Sequence, residues 1–330
     1  MPFMNGPTAI LGYHIQQLPT GTYTLTAPSA QVLCEGSLAL CTSKRLDKLT
    51  TIYGHGHPNM TAKTHEGRQY WCDMFAHAGW RIQRNVFTQH CRLLSPTSHR
   101  KAWGSYEACR TAMERYRLEQ DLRWPRKRLI ILLHGILRTH GSMKGLGRDL
   151  ENSSRTSFSM TYPSTRMSVH EAASHFAHLI NNLDGIDEID IVTHSMGALV
   201  TRGALQQLDQ QAPSIHRLAF LGPPSQGSQL AEGMHDWWLY QAVTGPAGQN
   251  VRPQEAQQLP PPDYPTLIVA GNKGFGLGRL RGIGPDSDGT VTVEEASLPG
   301  ARLVILPVGH TRIMHQPSVR EVVNEWLNLD

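Results

Sequence analysis

Residues 193–197 read Thr-His-Ser-Met-Gly, setting a serine between an apolar run (Ile189 to Thr193) and a helical pattern that begins near Met196. A serine hydroxyl attacks a carbonyl only when a base takes its proton and a third group orients that base. A sharp turn from strand to helix would lift the Ser195 hydroxyl clear of both elements, and such a turn needs small flanking side chains. Gly197 meets that need on the helix side, and Thr193 meets it in part on the strand side. The plainer reading of Ser195 is a helix N-cap.

The chain has 17 histidines, so position must select the base. His310 directly follows the apolar run from Arg302 to Pro307, in the loop at its carboxyl end. That is the edge of an open parallel sheet where ligands bind. His315, beside Pro317, reads as a surface residue. For the acid, Asp190 and Asp263 stand at strand starts, on the opposite edge. Asp286 and Asp288 follow the apolar run near Thr266 and fall on the same edge as Ser195. Whichever of them is spare reads as a turn residue accepting backbone hydrogen bonds.

The elements that must hold these groups repeat along the chain. Apolar, β-branched runs begin near Ile130, Phe158, Ile189, Arg217, Thr266 and Arg302, with gaps of 28, 31, 28, 49 and 36 residues. A strand-helix-strand unit needs about 30 residues, and unbroken apolar strands suit a parallel sheet covered on both faces. Ser168 with Glu171, and Ser318 with Glu321, have the spacing of capping boxes before amphipathic helices. The expected fold is a doubly wound, mostly parallel α/β sheet. The 49-residue gap holds a candidate lid insertion, 228–262, whose Trp237, Trp238 and Tyr240 suit a substrate pocket or equally a packed helix. Residues 60–127 predict an antiparallel pair at 80–85 and 90–96, then a helix over 105–120. Residues 1–59, rich in Thr, Gly, Pro and Ser, show no clear period and predict a weakly ordered extension. The expected hydrolase domain is 60–330, with its catalytic core at 128–330.

Thr193-His194-Ser195-Met196-Gly197, together with Leu129 to Leu137 (LIILLHGIL), resembles the α/β-hydrolase superfamily. Within it the sequence is most similar to small bacterial lipases and esterases with a His-Gly-Ile oxyanion loop, over roughly residues 128–330. The resemblance implies the chain order serine, acid, histidine, with Ser195 as nucleophile and His310 as base. Asp288-Gly289-Thr290-Val291 resembles the acid turn of many lipases, which favours Asp288 as the acid. The implied oxyanion donors are the backbone N–H groups of Ile136 and Met196, with Leu137 at the pocket. The implied substrate is a small-molecule or lipid ester. Thioesterases, amidases, peptidases and acyltransferases share this machinery, and a non-catalytic binding protein can keep the fold.

Composition narrows the remaining classes. No run approaches the roughly 18 apolar residues of a membrane helix, and the first residues make a poor signal peptide. Five cysteines without a CxxC pair predict free thiols and a cytoplasmic setting. The net charge of +4 divides into +9 over residues 1–128 and −5 over 129–330. That basic half suits a solvated face or peripheral membrane contact; no nucleic-acid module accompanies it. Tyr53 to Pro58 (YGHGHP), taken with Cys72, His77, His90 and Cys91, fits no familiar zinc spacing. The glycines of 273–284 lack a Walker lysine-serine pair. No cofactor, metal or protein partner is expected.

Overall fold

The computed structural model describes residues 9–10, 13–26, 29–37, 40–41, 70–227, 253–274 and 286–329. Its centre is a six-stranded sheet built from β9 (Arg128–Leu133), β10 (Arg155–Ser159), β11 (Glu188–His194), β12 (Ser214–Leu221), β13 (Thr266–Gly271) and β14 (Arg302–Leu306). The spatial order is β10-β9-β11-β12-β13-β14, and every neighbouring pair is parallel. The six apolar runs of the sequence thus become the six strands.

Period-two alternation divides the sheet's side chains between two cores. Leu129, Ile131 and Leu133 face the helices Val169–Asn181 and Gly197–Leu205, while Ile130 and Leu132 face Lys144–Leu150 and Pro317–Leu327. A parallel strand covered on both faces must be apolar at every position, which is why no alternation shows in the sequence. We number the helices in chain order: α1 Tyr106–Glu119, α2 Lys144–Leu150, α3 Val169–Asn181, α4 Gly197–Leu205, α5 Pro253–Ala256, α6 Val293–Ala296 and α7 Pro317–Leu327.

Ser168 and Glu171 form the expected capping box at the start of α3. Ser318 and Glu321 do not. α7 begins at Pro317, with Gln316 as N-cap, because proline lacks the N–H that the first helical position leaves unbonded anyway.

Ahead of this core, β5 (Trp71–His77), β6 (Trp80–Asn85), β7 (Cys91–Leu94) and β8 (Arg100–Gly104) form an antiparallel sheet, so the expected pair is the middle of four strands. α1 packs Cys109 and Met113 against Phe75, Trp80, Ile82, Cys91 and Leu93 on one face. Cys72 and Ala76, on the other face, join the core of the parallel sheet.

Several described segments fall within the stretch 1–59, where the sequence predicts a weakly ordered extension. There β2 (Tyr13–Gln17), β3 (Tyr23–Thr26) and β4 (Val32–Gly36) pair antiparallel, and β1 (Ala9–Ile10) flanks β2. Among the described residues, β2 and β3 bury one side chain each, Ile15 and Leu25, in a small core shared with Cys41. So few buried positions are too sparse a pattern to show as a period. Among the described residues no helix is long and apolar enough to cross a membrane, and all five cysteines are free thiols.

Candidate active site

Ser195 is the first residue of the two-residue turn (Ser195, Met196) between β11 and α4, with φ +54°. The left-handed region costs a non-glycine residue about 1–2 kcal/mol, so the surrounding contacts must hold it. The N–H of Ser195 donates to the Leu221 carbonyl of β12 (2.9 Å), and its own carbonyl accepts the first bond of α4, from Ala198 (3.0 Å). Thr193, fully buried at the strand end, does not prevent the turn.

His310 lies past β14 at the start of a short 3-10 turn, His310–His315. Each of its polar atoms has a partner. Nε2 is 3.0 Å from Ser195 Oγ, and Nδ1 is 2.6 Å from Asp288 Oδ2. Its N–H donates to the Asp288 carbonyl at 2.9 Å, and its carbonyl accepts from His194 Nε2 at 3.1 Å.

Asp288 is 2 % exposed, and its other carboxylate oxygen accepts from the N–H groups of Thr290 (2.9 Å) and Val291 (2.8 Å). The turn read from Asp288-Gly289-Thr290-Val291 is therefore a cage for the carboxylate. Asp286 is exposed and meets α6 only through its backbone carbonyl. His315 is exposed as well.

Two glycines make room for this arrangement. A Cβ on Gly135 would stand 2.9 Å from Ser195 Cβ and 2.9 Å from His194 Nδ1, so only a glycine lets the loop after β9 pass this close. Gly222, at φ +54°, would put a Cβ 2.8 Å from Asp288 Oδ2 and 3.1 Å from His310 Nδ1. Gly222, directly after β12 at the carboxyl edge, is not among the residues singled out from the sequence.

The backbone N–H groups of Ile136 and Met196 have no acceptor among the described residues. Ile136 is half-buried, and Leu137 beside it is 54 % exposed. Trp237, Trp238 and Tyr240 lie outside the described residues, as do 228–252 of the expected insertion and 275–285 of the glycine-rich segment. Gln226 is tied to Ser297 and Glu295 through hydrogen bonds of 3.1 and 2.9 Å. Ser225 is buried, and its carbonyl accepts from Arg202 at 2.7 Å.

Two further imidazoles flank the site, and neither was assigned a part from the sequence. Burial holds His194 well below the ordinary histidine range, with the positive field of His310 adding to the effect; its ring centroid is 4.8 Å from that of His310. Burial likewise lowers His134 to about 4. Both rings are neutral at neutral pH, and the imidazole hydrogen-bonded to Ser195 Oγ is that of His310. A neutral imidazole there can take the serine proton, and the adjacent carboxylate favours the imidazolium that results.

A family model described as a domain of unknown function (DUF7379) matches residues 97–257, a span that includes Ser195 and ends before Asp288 and His310. No curated protein matches the chain in sequence. Among solved structures, the mature form of the lipase BlEst2 from Bacillus licheniformis is 18% identical, over 62% of this chain and 94% of its own, with a TM-score of 0.51. A metagenomic carboxyl esterase, MGS0156, is 17% identical over 57% of this chain and 65% of its own, at a TM-score of 0.45. The phospholipase PlaB from Legionella pneumophila is 14% identical over 62% and 60%, at 0.47. Together with the parallel six-stranded sheet and its helix layers, the likeness to BlEst2 defines the fold as that of the α/β-hydrolases.

Proposed function

We propose that the chain is a serine hydrolase that cleaves carboxylic esters through an acyl-enzyme on Ser195. The observation that carries this reading is the unbroken line from Asp288 through His310 to Ser195, at 2.6 and 3.0 Å. Ser195 Oγ adds to the ester carbonyl carbon while its proton passes to His310 Nε2. The carbonyl π pair moves to oxygen, where the N–H groups of Ile136 and Met196 receive the charge; one such donor is worth about 3 kcal/mol to the transition state. Collapse breaks the bond to the alcohol oxygen, which takes the proton from His310. Water then repeats the sequence on the acyl-serine and returns the proton to Oγ. Asp288 holds Nδ1–H and stabilises the imidazolium in both halves.

An acyl-chain or lipid ester is the substrate class we favour. The exposed apolar Leu137 beside Ile136 agrees with it, and so does the fold-level likeness to a lipase. Labelling with a fluorophosphonate probe tests the nucleophile: wild type is expected to label and Ser195→Ala to stay blank. Labelling that survives the substitution removes Ser195 from the reaction. Rates across p-nitrophenyl esters of increasing chain length then set the acyl preference.

A further inference from the structure

Resting on that reading, we infer that Tyr162 and Asp73 are positioning residues for the oxyanion peptide, acting through His134. The proposed oxyanion donor, the Ile136 N–H, belongs to the peptide unit joining Gly135 to Ile136. A trans peptide points its C=O and N–H in opposite directions, so fixing the Gly135 carbonyl fixes the aim of the Ile136 N–H. That carbonyl is held twice, by His134 Nδ1–H at 2.9 Å and by the N–H of Arg138 at 3.2 Å. Donation to the carbonyl also polarises the unit and makes its N–H a stronger donor.

His134 is itself held by Tyr162. The two rings stack with centroids 4.3 Å apart and planes 15° from parallel, and the Tyr162 hydroxyl donates to the His134 carbonyl. Tyr162 is buried, so neither group has solvent as an alternative partner.

The chain of contacts continues into the antiparallel sheet. Thr161, the neighbour of Tyr162, is hydrogen-bonded twice to Asp73 on β5, once to its backbone and once to its carboxylate. Its N–H donates to Asp73 Oδ2 at 2.7 Å, and its carbonyl accepts from the Asp73 N–H at 2.8 Å. Asp73 is fully buried and is pinned by Arg81 (3.0 Å) and Gln83 (2.8 Å) on β6. The β5–β6 hairpin is thus a buttress whose contacts end at the proposed oxyanion donor.

The test is Tyr162→Phe, which keeps the stacked ring and deletes the hydroxyl. Active sites are counted by the fluorophosphonate probe, and kcat is expressed per labelled site. We expect a 10- to 100-fold fall in kcat, with KM within twofold. The Ki of a trifluoromethyl ketone, whose adduct oxyanion would sit in this hole, should rise by the same factor. A role in folding alone would lower the labelled fraction and leave kcat per site and Ki unchanged. Asp73→Asn, isosteric and remote from substrate, should give the same signature at roughly fivefold, and it decides the matter if Tyr162→Phe does not fold. A kcat per labelled site within threefold of wild type in the variant measured overturns the inference. If wild type cleaves no ester, or if cleavage survives Ser195→Ala, it is the proposed function that fails.

Discussion

The parallel sheet carries a buried aspartate in contact with a half-buried histidine at each of its two ends. At the carboxyl edge Asp288 meets His310 at 2.6 Å, and His310 reaches Ser195. At the amino edge Asp190, fully buried on β11, meets His216 Nδ1 at 3.0 Å. There the Arg128 guanidinium takes both carboxylate oxygens, at 2.7 and 2.9 Å, and also reaches His216 Nδ1 at 2.7 Å and the Leu327 carbonyl at 3.0 Å. A bidentate guanidinium uses up the charge of the carboxylate it binds. Asp190 therefore ties β9, β11, β12 and the end of α7 together through the Arg128 guanidinium. Among the described residues Asp288 is bound by neutral backbone N–H groups and by His310, with no guanidinium on its carboxylate. An Asp–His contact is thus a weak sign of function by itself; what else the carboxylate binds decides it.

The largest effect that could break this contrast comes from exchanging each carboxylate for its amide. Asp288→Asn should lower ester turnover by about three to four orders of magnitude with the melting temperature little changed, because His310 loses its orienting acceptor. Asp190→Asn should leave kcat within about threefold and lower stability instead. Equal losses of turnover would mean that the two pairs are not functionally distinct. Next in size, Arg128→Gln should destabilise the fold by about 3 kcal/mol, measured by urea unfolding, since it leaves the buried Asp190 carboxylate short of its main partner. A loss under 1 kcal/mol would show that His216 alone can balance that charge.

Legibility in the sequence follows the same division. The six parallel strands could be placed because each is a dense apolar run, and position at their carboxyl ends picked Ser195 and His310 as candidates. Asp286 and Asp288, two residues apart on the same edge, could not be separated by position alone. In the structure they differ by burial, since the N–H groups of Thr290 and Val291 turn only Asp288 inward. Tyr162, His194 and Gly222 escaped notice because their contacts join segments distant in sequence: Tyr162 to His134, His194 to His310, and Gly222 to Asp288. Strands β1–β4 escaped for another reason, since they bury too few side chains to leave a pattern.

A smaller effect distinguishes the edges by pH. His134 and His194 stand beside the site with depressed pKa values, the first at about 4 and both because of burial. Between about pH 6.5 and pH 4 the unfolded chain binds protons that these folded imidazoles refuse. Their contribution to stability is whole above about pH 6.5 and is lost as pH falls towards 4. The melting temperature should therefore drop across that window, and His194→Asn should flatten the slope while lowering the value at pH 7. An unchanged slope in the variant would place the acid sensitivity elsewhere, in His134, His90 or His175, each of which burial lowers to about 4.

The smallest expected effect bears on the elbow itself. The amino edge satisfies the Asp190 carboxylate, whereas two buried polar atoms in the residues leading into Ser195, Thr193 Oγ1 and His194 Nδ1, have no hydrogen-bond partner among the described residues. A buried hydroxyl without a partner costs desolvation and returns nothing. Valine has the shape and β-branching of threonine, so Thr193→Val should keep the strand end and the Ser195 turn intact. We expect a gain in stability of up to about 1 kcal/mol, with turnover within twofold. A tenfold fall in kcat at an unchanged melting temperature would reverse the meaning of the orphaned hydroxyl. Thr193 would then find its partner only during the reaction, and the threonine at this elbow would be part of the chemistry rather than a tolerated departure from glycine.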